Sequence, residues 1–164
     1  TEIYTLSLHD ALPISLETNK LVYGGEMMIL LSSGATKYPC AFSTSSKLSI
    51  STTSVETTSK DDGDWVSKKA VRFAWNASTD GLTSYALTGN TNSVEDLFNY
   101  MKTKTAVNVV FSKVTGTKPF HTLDTNYKYF SGTAIITALE LSADDNAMST
   151  YSISLEGTGE LTIT

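Results

Sequence analysis

The last fifteen residues of the chain alternate apolar and polar side chains without a break. From Thr150 to Thr164, every odd position is Tyr, Ile, Leu or Gly, and every even position is polar. Successive side chains of a β-strand point to opposite faces of the sheet, so the alternation predicts one long closing strand with a buried face and a polar face. Such an ending favours a β-rich fold that packs one side of a sheet against a core.

The composition also favours strands and offers few reactive groups. Ser and Thr are abundant, and eight Tyr and six Phe stand beside only three Pro, a balance typical of β-structure. At 164 residues the chain is long enough to bury its own core. Two histidines and one cysteine leave little for acid–base or metal chemistry. Because Cys40 is alone, no disulfide can form within the chain.

The longest apolar run, Met27 to Leu31, has five residues, whereas a membrane helix needs roughly 20. We therefore expect no membrane partner. The start of the chain has no basic segment followed by an apolar core, so a secretory signal is not predicted either.

Residues 1–15, TEIYTLSLHDALPIS, resemble the translated adapter sequence that contaminates the ends of assembled metagenomic reads. We expect this segment to be non-native and residues 16–164 to form a single domain. Without it, Glu2 and Asp10 are lost and the formal net charge changes from −5 to −3. The alternative is a genuine N-terminal arm.

Turn residues and alternation divide the first half of the chain into strands. Leu21 to Tyr23, the turn residues Gly24 and Gly25, and Met27 to Leu31 predict an opening hairpin. A second turn is predicted at Asp80-Gly81, before a strand that begins at Leu82.

A Ser- and Thr-rich stretch, residues 43–60, has the composition of a linker but the alternation of a strand. Leu48 and Ile50 share one face, and the alternation breaks before Val55, which predicts a bulge or bend. After a loop at Lys60 to Trp65, a further strand places Val71, Phe73 and Trp75 on one face.

One helix is predicted after Ser93, with Asp96 completing a short capping box. Its apolar residues at helical spacing are Val94, Leu97, Phe98 and Met101. Strands follow at Val107 to Phe111 and at Thr133 to Leu141. The whole pattern predicts a mainly β fold, a β-sandwich or barrel of about seven to eight strands with one α-helix.

Several residues that suggest chemistry are better explained as structural. The acidic run at residues 61–64 lacks the closing Glu of a calcium loop, since Arg72 stands there, and a solvated turn is expected. Gly157 and Gly159 begin a nucleotide-binding pattern, but a third glycine and a following helix are missing. These glycines instead indicate a bend, a bulge or the close approach of another backbone.

The remaining candidates have similarly plain interpretations. His121 has no nucleophile elbow near it in the sequence, and Cys40 is expected to be a buried thiol. Trp65 and Trp75 are expected to be core or interface anchors rather than sugar-stacking platforms. The basic cluster Lys68, Lys69 and Arg72 is too small for tight DNA binding.

Taken in order, these segments resemble the major tail tube proteins of long-tailed bacteriophages. The resemblance extends from Asn19 to Thr164 and is strongest at Leu48 to Ser51, at residues 57–63 and at the closing SLEGTGEL, residues 154–161. Its segments are NKLVYGGEMMILLSSG, YPCAFSTSSKLSISTTSVETTSKDDGDW, RFAWNASTDGL, VEDLFNYM and MSTYSISLEGTGEL.

The resemblance implies a structural subunit whose copies form hexameric rings that stack into a hollow tube. It also implies that DNA passes through the tube without specific binding. It implies no catalytic residues, no metal and no cofactor. The implied partners are further copies of the chain, a tape-measure protein, a tail terminator and baseplate proteins. The implied location is the virion tail, after synthesis in the cytoplasm of the bacterial host.

Two groups of residues become interface candidates through this resemblance. The first is a loop that reaches a neighbouring subunit or ring: Lys60, Asp61, Asp62, Gly63, Asp64, Trp65, Lys68 and Lys69. The second lies in the closing strand, at the interface or the lumen: Glu156, Gly157, Gly159 and Glu160. In that strand Ser152, Ser154, Glu156, Thr158 and Glu160 are expected to face lumen or solvent, and Tyr151, Ile153, Leu155 and Leu161 to pack inward.

Other functions fit the same features less well. An inner-tube subunit of a type VI secretion or contractile injection machine is the nearest alternative. A carbohydrate-binding or adhesin β-sandwich, using its Trp and Tyr residues as a binding face, is another. An enzyme ranks last because no reactive set of residues can be named.

Overall fold

The computed structural model describes residues 22–32, 34, 36–60, 62, 64–85, 91–117 and 120–164. Within them lie nine strands and one α-helix, α1, at Val94–Lys102. The strands are β1 Met27–Ser32, β2 Tyr38–Pro39, β3 Ser43–Glu56, β4 Lys68–Leu82, β5 Val107–Thr115, β6 Thr122–Leu123, β7 Phe130–Ser142, β8 Thr150–Gly157 and β9 Thr162–Ile163. The predicted mainly β class with a single helix is confirmed for this part of the chain. The predicted non-native segment 1–15 lies outside it.

All nine strands belong to one antiparallel sheet. Its order is β2-β1-β5-β7-β8-β4-β3, with β6 beside β5 and β9 beside β7. Although β1 and β3 lie near opposite ends of this order, they contact each other, so the sheet curls around its core. Buried side chains from both halves meet there, including Ile29, Leu31, Ile153 and Leu155. The sheet is therefore barrel-like, and it closes through contact between β1 and β3 rather than through a ladder of backbone hydrogen bonds between them.

The apolar run at residues 27–31 forms a strand that is buried on both faces. Ile29 and Leu31 point into the main core, whereas Met28 and Leu30 join a second cluster with Val110 and Val114. A strand covered on both sides has no need of polar alternation. This explains why β1 is continuously apolar while β3 and β8 alternate.

Helix α1 begins as the sequence predicts. The Ser93 backbone N–H donates to Asp96 Oδ2 at 2.9 Å, and the Asp96 N–H donates to Ser93 Oγ at 3.4 Å, which completes the capping box. Val94 and Leu97 are buried, but Phe98 and Met101 remain exposed. Helical spacing therefore identified the helix without identifying which apolar residues reach the core.

The predicted opening hairpin is wrong. Val22 and Tyr23 form no strand, and Leu21 lies outside the described residues. Gly24–Glu26 form one turn of 3-10 helix, in which the Glu26 N–H donates to the Tyr23 carbonyl at 2.9 Å. Strand β1 instead pairs along its full length with β5, 80 residues further on. This long-range ladder supplies the hydrogen bonds that a local hairpin partner would have supplied.

The predicted turn at Asp80-Gly81 is also wrong, because both residues lie inside β4. A Cβ atom added at Gly81 would lie 2.6 Å from the Tyr151 ring. The Tyr151 hydroxyl in turn donates to the Ala41 carbonyl at 2.8 Å. Glycine is required here for the close approach of an aromatic ring rather than for a turn.

The closing segment is two strands rather than one. Both β8 and β9 pair with β7, and the chain turns between them at Gly159, whose φ is 102°. The predicted faces are nevertheless confirmed. Tyr151, Ile153 and Leu155 are buried, and Ser154, Glu156, Thr158 and Glu160 are exposed, with Ser152 and Leu161 half-buried.

The irregularity predicted near Val55 is confirmed as a register shift in the β3–β4 ladder. Thr53 pairs with Arg72, but Ser54 pairs with Ala70. The extra residue is therefore Val71, on β4 rather than β3.

Candidate functional site

The hairpin of β3 and β4 projects beyond the rest of the sheet. Strand β8 covers β4 only from Asn76 to Leu82, so residues 68–74 of β4 and the matching part of β3 have no further strand beside them. At about 3.3 Å per residue, this extension is roughly 23 Å long before its loop is added. We call residues 50–74 the projecting arm. Every described residue of the projecting arm is exposed.

Hydrogen bonds hold the projecting arm as a hairpin to its tip. The ladder continues to the pair Glu56 and Lys68. Beyond it the Thr57 N–H donates to the Ser67 carbonyl at 2.8 Å, and the Ser67 N–H donates to Thr58 Oγ1 at 3.1 Å. These bonds show that the projecting arm continues the β3–β4 hairpin as a hydrogen-bonded extension of the sheet.

Large apolar side chains on the projecting arm are open to solvent. Trp65 is 85% exposed and Phe73 is 80% exposed. The others are Ile50, Val55, Val66 and Val71. A cluster of this kind marks an interaction surface in a soluble protein, and buried aromatic anchors dominate the energetics of such surfaces.

The structure brings the described loop candidates together at the end of the projecting arm. They are Lys60, Asp62, Asp64, Trp65, Lys68 and Lys69. Asp61 and Gly63 lie outside the described residues. Sequence reasoning did not single out Ile50 and Phe73 as interface residues, because alternation places them on the same face as Trp75, which is buried. Their exposure depends on where β8 ends, which alternation within β4 does not reveal.

The second group of candidates divides between surface and core. Glu156 and Glu160 are exposed, whereas Gly157 faces the Trp75 indole. A Cβ at Gly157 would overlap that ring, and Trp75 Nε1 donates to the Gly159 carbonyl at 3.1 Å. The group that approaches Gly157 is therefore a side chain of the same chain. Trp75 is a core anchor, one of the two roles expected for it.

Four adjacent strands carry a shared outward surface that is polar. We call it the polar face; cross-strand register places on it Lys47, Ser49, Asn76, Ser78, Asp80, Ala138, Glu140, Ser152, Ser154 and Glu156, with Ile135 as an exposed apolar residue opposite Glu156. All of these side chains are exposed or half-buried. Hydroxyl and amide groups prevail, with three carboxylates and one lysine.

Asp80 lies within the polar face and is held by its neighbours. Ser45 Oγ donates to Asp80 Oδ2 at 2.6 Å. Hydrogen bonds from Ser45 and then from Ser152 lower the pKa of this carboxyl below its ordinary value, which exceeds the opposing effect of its slight burial. Asp80 is therefore ionised at neutral pH.

The two outer strands of the polar face, β3 and β7, each have a free lateral edge. In the described part of the chain, β3 pairs only with β4, and β7 pairs only with β8 from Ile135 to Ser142. Because each neighbouring pair in the order β7-β8-β4-β3 is antiparallel, β3 and β7 run in opposite directions. Each edge presents unpaired backbone groups that another strand can pair with.

The residues weighed for chemistry are not assembled into a reactive site. Cys40 is buried, and burial raises the pKa of its thiol to about 12, which keeps it protonated and unreactive. His121 lines a cavity of about 350 Å³, and its buried Nδ1 has no hydrogen-bond partner among the described residues. Within the same residues, no three metal-ligating side chains cluster, and no helix is long and apolar enough to cross a membrane.

Residues 22–163 match the family model for phage tail tube proteins. The chain belongs to this family. The match covers the projecting arm, the polar face and both free edges. No curated protein sequence matches this tail tube protein.

Solved structures share the fold of the tail tube protein at low sequence identity. The tail of an empty gene transfer agent particle, refined with C6 symmetry, is 16% identical with a TM-score of 0.65, covering 88% of this chain and 99% of that one. The SPP1 tail tube is 11% identical with a TM-score of 0.62, covering 88% and 79%. The anti-feeding prophage baseplate is 9% identical with a TM-score of 0.63, covering 90% and 97%.

Proposed function

We propose that copies of this chain assemble into hexameric rings that stack into a hollow tube, through which DNA passes during ejection into a host. Family membership supports the role of tube subunit. The six-fold symmetry is carried over from the gene transfer agent tail, whose fold this chain shares. The observation that carries the proposal is the pair of free, oppositely directed edges that flank the polar face.

These edges suit ring closure. When β3 of one copy lies beside β7 of the next, the two strands are antiparallel, as are all neighbouring strands of the sheet. The two edges differ from each other, so the contact is head to tail and generates a ring when the rotation between copies closes. Each copy then contributes β3, β4, β8 and β7 to one continuous barrel, and the free edges of β3 and β7 are both paired.

The polar face suits the wall of a DNA conduit. Its hydroxyl and amide groups are hydrated but uncharged, and its carboxylates outnumber its single lysine. Phosphate contacts with Lys and Arg dominate DNA affinity, so a wall that is poor in them lets DNA slide. Glu156 lies on this wall, and Asp80 remains charged there because Ser45 and Ser152 donate to it. Glu160 is exposed just beyond the end of β8.

The projecting arm suits a contact with another copy. Its length places Trp65 beyond the body of the subunit. Its exposed apolar side chains would be buried by contact with a partner. Burial of Trp65 against a neighbouring subunit or ring would make it an anchor of the assembly.

The same proposal covers the remaining roles of the subunit. It has no catalytic task and needs no cofactor, and its other partners are a tape-measure protein, a tail terminator and baseplate proteins. It is made in the host cytoplasm and resides in the virion tail. Residues 16–164 form the working domain, and residues 1–15 are not part of the native protein.

An inner tube of a contractile injection machine is the second candidate, because the anti-feeding prophage baseplate shares the fold. The two functions differ in cargo. If tubes of this protein protect linear double-stranded DNA inside the bore from nuclease digestion, the phage role is supported. If the tubes retain protein but no DNA, the injection role is supported.

Negative-stain microscopy of residues 16–164 tests the assembly itself. The protein is concentrated alone and, in parallel, with a matching baseplate as initiator. We expect six-fold rings or hollow filaments in at least one preparation. Single compact particles in both preparations would contradict the proposal. A variant with Ser154→Ala on the polar face is the matched control and should assemble as the parent does.

A further inference from the structure

Bulges interrupt the sheet in the described part of the chain at three places, two in the β3–β4 ladder and one in the β7–β8 ladder. The extra residues are Thr44 on β3, Thr137 on β7 and Val71 on β4. Each of them lies on a length of strand whose outer edge is free, since β8 covers β4 only from Asn76 onward. The bulges are therefore found at the free edges of the sheet.

The ladders between covered strands are regular. In the β4–β8, β5–β7 and β1–β5 ladders, both strands advance one residue at a time through every described pair. A bulge bends its strand and increases the local twist, and natural sheets use such bends to make an exposed edge a poor template for another strand. The position of the bulges thus indicates protection of the edges.

The bulges on the two outer strands of the polar face have the same chemistry. Thr44 and Thr137 are both exposed. Thr44 Oγ1 donates to the Asp80 carbonyl at 3.2 Å, and Thr137 Oγ1 donates to the Ser154 carbonyl at 3.2 Å. In each case the hydroxyl of the extra residue binds the backbone of the next strand inward. These hydrogen bonds hold both bulges in place in the single subunit.

A bulge in an edge strand disturbs pairing with a strand that is added outside it. Two residues of the bulged strand occupy the place of one, so the free backbone groups on either side of the bulge are not spaced as a regular ladder requires. The edges of β3 and β7 run in opposite directions and would otherwise be good templates for each other. Two free subunits that meet through these edges therefore form a poorly matched ladder.

We propose that the bulges at Thr44 and Thr137 prevent free subunits from pairing with each other, so that β3 joins β7 of the next copy only on a ring that is already in place. This inference rests on the proposed function, in which these two edges form the lateral contact. A growing end holds an incoming copy at several contacts at once, and the added contacts offset the cost of the mismatched ladder. Two free copies have the single ladder alone. The bulges thus direct the protein to the tube and away from open ribbons of sheet.

Deletion of the extra residues tests the proposal, because it restores regular strands without turning any side chain over. Removal of Thr137 leaves Ile136 directed into the core and Ala138 on the polar face, as in the parent. Removal of Thr44 likewise leaves both of its neighbours with their partners on β4. Thr137→Val is the matched control, since it keeps the extra residue and a branched side chain.

Assembly of the full chain is followed by light scattering and sedimentation, with and without fragments of preformed tube. The parent should show a lag that the fragments remove. The variant that lacks both Thr44 and Thr137 should shorten the unseeded lag about tenfold or more, because two regular edges pair without a template. Thr137→Val should keep the lag within about twofold of the parent, because its edge is still bulged. Microscopy of the unseeded double deletion should show rings, tubes or open ribbons.

Thermal unfolding of each variant is measured first, and the two single deletions replace the double deletion if it does not fold. A parent that assembles without a lag would overturn the proposal whichever variants fold. A folded deletion variant that keeps the lag of the parent, or assembles more slowly, would also overturn it and would show that the bulges only shape the sheet. A parent that forms no rings or tubes, even with a baseplate, would overturn the proposed function as well.

Discussion

Trp75 and Gly159 are joined by a hydrogen bond from the indole Nε1 to the carbonyl oxygen at 3.1 Å. The bond ties β4 to the bend between β8 and β9, and the indole lies against Gly132 and Gly157. Two glycines thus make room for one buried tryptophan, and a third supplies its hydrogen-bond acceptor, at the level of the sheet where the projecting arm begins. This arrangement anchors the base of the arm in the core.

Gly157→Ala should destabilise the fold by about 1–3 kcal/mol, because the new methyl group would overlap the Trp75 indole. Gly25→Ala is the matched control, since a Cβ at Gly25 meets no atom within 4 Å. Urea unfolding of the two variants measures the difference. Equal midpoints for both would contradict the close packing of Trp75.

Substitution of Trp65 should separate the stability of the subunit from its assembly. Trp65 is exposed in the single subunit, so Trp65→Ala should leave the free energy of unfolding within about 0.5 kcal/mol of the parent. The same substitution should weaken assembly by about 2 kcal/mol or more if Trp65 is an interface anchor. Thermal unfolding of the subunit and sedimentation of the assembly provide the two readouts. Unchanged assembly would show that Trp65 is not an anchor.

Ser93→Ala should cost about 1 kcal/mol of stability, since it removes the side-chain half of the capping box on α1. Ser154→Ala removes an exposed hydroxyl with no such partner and is the control. Chemical denaturation compares the two. A cost no larger than that of the control would mean that the cap contributes little.

Asp80 should make stability depend on pH in the acid range. Its pKa is lowered in the folded state, so its contribution is present above its ordinary value of 3.8 and is lost as the pH falls through the lower folded-state pKa. Asp80→Asn should therefore reduce the acid sensitivity of unfolding, relative to an Asp144→Asn control on the exposed turn. Urea midpoints measured from pH 5 to pH 2 decide this. Parallel pH profiles for the parent and Asp80→Asn would contradict the role of Ser45 and Ser152.

Much of the fold could be predicted because alternation and capping are local signals. The face of the closing segment and the start of α1 follow from side chains within a few residues of each other. The glycines were harder to interpret. Gly81 has the sequence context of a turn, yet it lies in a strand because Tyr151, 70 residues away, needs the space. A glycine that permits a turn and one that permits a close approach look alike in sequence.

The candidate interface was partly predictable for a similar reason. The loop around Trp65 is visible as an acidic, turn-rich stretch, but Ile50 and Phe73 look like core residues. Their exposure follows from the end of the β4–β8 ladder at Asn76, which only the register of a third strand determines. Similarly, the free edges of β3 and β7 are properties of strand order. The residue pattern within a single strand does not indicate whether the edge of that strand is free.

The central claim is that the polar face lines the bore of a ring in which β3 of each copy pairs with β7 of the next. Cryo-electron microscopy of tubes assembled from residues 16–164 tests it most directly. We predict a continuous antiparallel barrel around the bore, with Ser78, Ser154 and Glu156 facing the lumen and α1 outside it. A bore lined by α1, or one in which the polar face points away from the axis, would contradict the account.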